Sequence, residues 1–150
     1  MNIRKAGSSD LELIYTMEKR IFNNPWARSS IEEELNRKYH SLNLIAEKDG
    51  SIIGYFFAHL VSNEAHIINI AIDKPFQHQG LGKQFLGKII SDNLQDVDVF
   101  LEVKRSNFPA INLYVHLGFE EVDIRENYYS DGADAVFMVK KINTYGLVSS

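Results

Sequence analysis

The residues best suited to chemistry lie in the second half of the chain. Glu102 stands in the run Val97-Asp98-Val99-Phe100-Leu101-Glu102-Val103. A carboxylate among apolar neighbours has its pKa raised and can act as a general base. Strand alternation puts it on one face with Asp98 and Phe100, so a solvent-facing glutamate at a strand end is the competing reading. Tyr114 recurs at helical spacing with Ala110, Leu113 and Leu117. It is either a core tyrosine bonded to a backbone partner or a phenol able to protonate a leaving group. Asn107, just ahead of Phe108-Pro109, either caps that helix or bonds a ligand amide. The five histidines, at 40, 59, 66, 78 and 116, have no metal-ligand spacing, so no metal site is expected.

A second constellation needs no side-chain chemistry. Ile67 to Asp73 reads as a buried strand, Pro75 ends it, and Gln77-His78-Gln79-Gly80-Leu81-Gly82-Lys83 leads into a helix whose apolar face is Leu81, Phe85, Leu86, Ile89 and Ile90. A loop entering a helix offers free N–H groups and the positive end of the helix dipole, a natural seat for a pyrophosphate. Glycines at 80 and 82 let backbone approach phosphate closely. Walker A is excluded because Gln84 follows Gly82-Lys83, and the dinucleotide fingerprint because Phe85 stands where its third glycine belongs.

These pieces need a scaffold, and 150 residues suffice for one domain with a sizeable core. The chain is 45% apolar and 24% charged, an ordinary globular composition, with net charge -4. The acidic balance argues against general nucleic-acid binding and suits a basic protein or peptide partner. The absence of cysteine excludes disulfides and a thioester on the enzyme. Arg4, Lys5 and Asp10 without an apolar segment do not make a signal peptide. The apolar run from Ile52 to Ala58 is too short to span a bilayer, so a cytoplasmic location and no membrane partner are expected.

Residues 2 to 6 read as a strand. Ser9 and Glu12 form a capping box for a helix marked by Leu13, Met17 and Ile21, which Asn23-Asn24-Pro25-Trp26 breaks. Ser29 and Ser30, each three residues before a glutamate, cap a second helix with Ile31 and Leu35 inward, Glu32 to Glu34 lying in its first turn. Strands 42–48 and 51–61 join at Asp49-Gly50, and Gly54 marks a bulge or close backbone contact. A strand over 96–103, a short helix over 109–117 closed by Gly118, and strands 119–129 and 133–142 across Asp131-Gly132 complete the order β-α-α-β-β-β-α-β-α-β-β. This is an α/β (α+β) sheet, antiparallel first and with crossover helices later. Residues 1–142 are expected to form a single domain and 143–150 a tail.

Taken together, Asn69-Ile70-Ala71-Ile72-Asp73, Gln77-x-x-Gly80-x-Gly82, Leu101-Glu102-Val103, Ser106-Asn107-x-x-Ala110-x-x-Leu113-Tyr114-x-x-x-Gly118-Phe119 and Arg125-x-Asn127-Tyr128-Tyr129 resemble, in this order, the GNAT acetyltransferases. Leu-Glu-Val, Asn-Tyr-Tyr and Pro25-Trp26 resemble the bacterial ribosomal-protein-alanine N-acetyltransferases within them. The resemblance implies a mixed central sheet with two splayed parallel strands and flanking helices. It implies that Ile70, Ala71 and Ile72 bond the pantetheine of acetyl-CoA, that His78, Gln79, Gly80, Leu81, Gly82 and Lys83 wrap the pyrophosphate, and that Asn107 bonds the cofactor. Glu102 would be the proton acceptor and Tyr114 the proton donor. Gln77 departs from the arginine more usual there, a small change where backbone groups hold the phosphates.

The implied reaction acetylates the N-terminal alanine of a protein, ribosomal small-subunit protein eighteen, by direct transfer. A phenol near ~10 protonating a thiolate near ~8.5 would be uphill by about 2 kcal/mol. The rival readings are acetylation of a lysine, polyamine or other small amine, and a non-catalytic acetyl-CoA-binding module, against which the presence of both Glu102 and Tyr114 argues.

Overall fold

The computed structural model describes residues 1–142; the tail expected at 143–150 lies outside the described residues. The elements are β1 (Asn2–Lys5), α1 (Leu11–Ile21), α2 (Arg28–Leu35), β2 (Ser41–Lys48), β3 (Ser51–Val61), β4 (Glu64–Ile72), α3 (Leu81–Asn93), β5 (Asp98–Lys104), α4 (Phe108–His116), β6 (Glu120–Arg125) and β7 (Ala135–Lys140), with single 3-10 turns at Ser8–Asp10 and Lys74–Phe76. The expected order of strands and helices is present. The strands form a seven-stranded sheet ordered β1-β2-β3-β4-β5-β7-β6. The chain divides into two compact units: residues 1–60 with 68–86, and 61–67 with the chain from Gly87 onward.

In the first unit, β1, β2 and β3 pair antiparallel in sequence order. Asp49 and Gly50 both take positive φ (51° and 79°), the conformation a two-residue hairpin turn requires. Ala46 faces Gly54 while Glu47 faces Ile52, so Ile53 is an extra residue on β3. Its carbonyl accepts the Asp73 N–H at 2.8 Å. A Cβ on Gly54 would stand 2.5 Å from the Ala71 carbonyl oxygen. The glycine therefore supplies both the bulge and the close contact that its place in a strand implies. The core joins Leu11, Ile14 and Met17 of α1 to Ile31, Ile45, Tyr55 and Phe57, with Trp26 packed at its edge, 5.8 Å from Phe57.

Four local expectations are corrected. The box of Ser9 and Glu12 does not form: Glu12 pairs with Arg28 of α2, and Asp10 accepts the Gly7 N–H at 2.9 Å while holding Arg4 through two bonds. Leu13 is 55% exposed, because α1 turns Leu11, Ile14, Met17 and Glu18 inward instead. Helix α2 begins at Arg28 after Ala27, so Ser29 and Ser30 lie inside it and cap nothing. Glu34 is in its last turn and buried, bonded to Asn43 and to His59 at 2.6 Å.

In the second unit, β4 and β5 are parallel over three pairs, ending at His66 and Phe100, whose rings stack at 5.0 Å. Strand β5 continues beside β7 as far as Lys104, and β7 lies between β5 and β6. Val99, Leu101 and Val103 turn inward with Val136 and Met138, and Phe119 is buried after the positive-φ Gly118.

Gly54→Ala forces a methyl against a backbone carbonyl that has no rotamer to escape into. We expect it to cost roughly 2–3 kcal/mol, read from urea unfolding. An unchanged midpoint would mean that β3 and β4 can separate there freely.

Candidate active site

The first unit carries the phosphate-loop residues. Strand β4 ends at Ile72, and Asp73 caps the following turn by accepting the Lys74 N–H at 2.9 Å. Asp73 is buried and held by two bonds from Arg20, at 2.9 and 2.7 Å. The Gln77 side chain donates to the Ile72 carbonyl at 2.8 Å and that of Gln79 to Pro75 at 3.3 Å. Gln77 thus ties the loop back to the end of β4, a role its place in the motif did not disclose. His78 and Gly80 both have positive φ, 64° and 76°. For histidine this costs about 1–2 kcal/mol, strain of the kind that collects in functional loops.

The first bond of α3 runs from the Gln84 N–H to the Gly80 carbonyl at 3.1 Å. The N–H groups of Leu81, Gly82 and Lys83 precede it and have no carbonyl within the helix. His78, Gln79, Gly80 and Lys83 are exposed, and Leu81 is buried as the first residue of the helix's apolar face. Nothing lies within 4 Å of where a Gly80 Cβ would be. On β4, Ala71 is buried and Ile70 and Ile72 are partly so.

The second unit holds Glu102, Asn107 and Tyr114. Glu102 faces Phe137 across the β5–β7 pair and is exposed, so the apolar burial expected for it is absent in the free chain. The apolar neighbours in sequence, Leu101 and Val103, point to the opposite face. Asn107 is the N-cap of α4, its oxygen accepting the Ala110 N–H at 3.3 Å, which leaves its NH2 outside the cap. Tyr114 is partly buried with its ring 5.7 Å from Phe119, and burial pushes its phenol up to about 12.

Two tyrosines whose place in the site the residue patterns did not indicate join them. Asn127 takes positive φ (53°), its N–H bonds Asp134, and the N–H groups of Tyr128 and Tyr129 both reach the Ala133 carbonyl. Beyond this turn Tyr128 comes under the influence of Glu102, which raises its pKa first as a hydrogen-bond acceptor and then through the carboxylate's charge. Tyr129 is pushed up to about 12, first by burial and then by Glu102, Tyr128, Asp131 and Tyr114. Tyr128 also packs edge-on against Tyr129 and Phe137, at 5.2 and 5.3 Å. Consecutive tyrosines after a turn residue were the available signal, since alternation alone would have sent them to opposite faces of a strand.

The chain belongs to the acetyltransferase (GNAT) family, whose model matches residues 11–119, and is an acetyltransferase. Over 147 residues it is 37% identical to the [ribosomal protein bS18]-alanine N-acetyltransferase of Escherichia coli, covering 94% of this chain and 97% of that one. The protein of that name from Haemophilus influenzae is 38% identical over 130 residues, covering 85% and 86%. The crystal structure of the Escherichia coli ribosomal-protein-S18-alanine N-acetyltransferase superposes with a TM-score of 0.86 at 34% identity, covering 95% of this chain and 94% of that one. Among the described residues no helix is long and apolar enough to cross a membrane.

The causes of the tyrosine shifts separate experimentally. In Glu102→Gln, ultraviolet titration should bring the Tyr128 step down towards the ordinary ~10 and move Tyr129 less, because burial is its larger cause. Tyr114, raised by burial alone, should not move. A Tyr128 step unaffected by the substitution would mean that Glu102 is not what raises it.

Proposed function

We propose that the chain transfers acetyl from acetyl-CoA directly to the α-amino group of an N-terminal alanine, that of ribosomal protein bS18. The observation that carries this reading is the match along nearly the whole chain to proteins named for that reaction. The family's use of acetyl-CoA suits the loop: three N–H groups at the start of α3 and open space beside Gly80 fit a pyrophosphate. In this reading His78, Gln79, Gly80, Leu81, Gly82 and Lys83 wrap the pyrophosphate. Ile70, Ala71 and Ile72 offer backbone bonds to the pantetheine, and Asn107 adds a side-chain bond. Acetyl-CoA, when bound, supplies an activated acyl group and a thiolate leaving group; the reading calls on no metal.

Glu102 takes the proton from the incoming ammonium, directly or through water. A backbone N–H near Ile72 receives the carbonyl oxygen. Tyr114 protonates the departing thiolate. With the phenol at about 12 rather than ~10, complete transfer to a thiolate near ~8.5 is uphill by about 5 kcal/mol. The partner is a protein N-terminus, neither nucleic acid nor membrane, and a ribosomal acceptor would place the enzyme in the cytoplasm.

Tyr114→Phe and Glu102→Gln should each lower turnover roughly 10²–10⁴-fold while leaving acetyl-CoA binding by calorimetry nearly intact. Near-normal turnover in both variants would remove them from the proton path.

The acceptor is tested by proton arithmetic. With pKa values near ~8 and ~10.4, roughly one α-amine in ten is neutral at pH 7 against about one lysine in a few thousand. A peptide beginning with free alanine and followed by basic residues should be acetylated at its terminus alone, and blocking that terminus should abolish the reaction. Acetylation of the blocked peptide at a comparable rate, seen by mass spectrometry, would favour a lysine acceptor.

A further inference from the structure

Glu18 is a charged side chain in the wrong place for a surface helix. It is 1% exposed, on the face of α1 that carries Leu11, Ile14 and Met17. One carboxylate oxygen accepts the Tyr55 hydroxyl at 2.5 Å and the Asn69 amide at 2.8 Å; the other accepts the Trp26 backbone N–H at 2.8 Å. All three donors are neutral; of the two cations that follow on α1, Lys19 lies over the Tyr15 ring and Arg20 is committed to Asp73. Two acceptor oxygens and no donor are what these partners require, and glutamine would turn an NH2 towards at least one of them.

The partners belong to three elements: Tyr55 to β3, Trp26 to the segment between α1 and α2, and Asn69 to β4. Asn69 immediately precedes Ile70-Ala71-Ile72, the backbone assigned above to the pantetheine. Trp26 is fixed by its N–H to Glu18 and by its ring against Phe57. We propose that Glu18 is a positioning residue for acetyl transfer, its buried carboxylate fixing at once the Trp26 segment and the donor-binding end of β4. This rests on the assignment of β4 to acetyl-CoA. A carboxylate meets the requirement better than an apolar side chain because one rigid group with two oxygens can hold a backbone N–H and a side-chain amide from separate elements in fixed register.

The experiment compares Glu18→Gln and Asn69→Ala with Ile14→Val, a core truncation on the same helix. All three should melt earlier than wild type. At a temperature where each is folded, Glu18→Gln and Asn69→Ala should lower kcat/KM for acetyl-CoA roughly 10- to 100-fold, chiefly through KM, as loss of alignment does. Ile14→Val should keep the wild-type KM. Wild-type KM and kcat in folded Glu18→Gln or Asn69→Ala would overturn the proposal and reduce the cluster to a stabilising one. Should Glu18→Gln not fold, Asn69→Ala decides alone, since it leaves the carboxylate two partners. A wild-type chain that binds no acetyl-CoA by calorimetry would instead overturn the functional reading, and this proposal with it.

Discussion

A carboxylate sealed from water loses its hydration and must be matched by donors, or it will be expelled or neutralised. In the first unit Glu18 is matched by three, and its match constrains everything near it. The Tyr55 phenol is pushed up by burial and then by this bond, so it remains a donor at any working pH. Helix α1 must present Glu18 inward, which turns Leu13 out and Ile14 in. The segment after α1 must return at Trp26. Next along the helix, Arg20 reaches Asp73, so α1 contacts β4 at Asn69 and the residue after β4 at Asp73. Both bracket the Ile70–Ile72 backbone. Each buried polar group left without its partner would cost about 1–3 kcal/mol, so slippage of β4 against α1 is opposed at two points.

The other constraint is steric. Strand β3 carries an extra residue at Ile53 and no side chain at Gly54, which brings the Ala71 carbonyl close enough to exclude even a methyl group. The bulge also delivers the Ile53 carbonyl to Asp73, setting the point at which β4 gives way to the loop. The loop is then closed by its own side chains, Gln77 on Ile72 and Gln79 on Pro75. Arginine, more usual at the position of Gln77, would bring charge; glutamine brings a neutral donor that can hold the last strand carbonyl. The proposed phosphate site would thus be built from backbone held by amides, and would recognise an anion through N–H groups more than through a charged side chain.

How much of this the sequence discloses depends on the range of the interaction. The hairpin at Asp49-Gly50, the glycine in β3, the start of α3 and the Asn107 cap are local, set by residues within a few positions, and all were legible. The site residues came from the family resemblance, not from any local rule. What the pattern could not give were pairings between distant segments. Ser9 and Glu12 satisfy the capping-box spacing, yet Glu12 has a better partner in Arg28, sixteen residues on. Glu34 sits in a run of three glutamates that resembles a solvated first turn, but His59 and Asn43 meet it from β3 and β2. Glu18, between Met17 and Lys19, reads as the polar side of an amphipathic helix until its partners at 26, 55 and 69 are known. Buried polar groups break periodicity because their reason for burial lies elsewhere in the chain.

The phenols of the second unit show how such distant pairing bears on chemistry. Glu102 was expected to be tuned by the apolar residues beside it in β5, but those face the other way, and its company is Tyr128 and Tyr129 from beyond β6. A carboxylate draws a phenol's proton towards itself by hydrogen bonding yet raises the cost of removing it, because two negative charges would then be neighbours. Tyr128 and Tyr129 therefore stay protonated beside Glu102, and Tyr114, raised by burial to about 12, stays protonated for a separate reason. The consequence is directional. In the proposed reaction phenols that stay protonated at neutral pH could only donate, which would leave Glu102 as the group to take the amine's proton. With Tyr114 as the proposed acid, full transfer to a free thiolate would be uphill by about 5 kcal/mol, so its proton would be best delivered while the carbon–sulfur bond is breaking and charge on sulfur is still growing. The proposed base and acid would thereby be kept apart by environment, the Glu102 carboxylate exposed and the Tyr114 phenol enclosed.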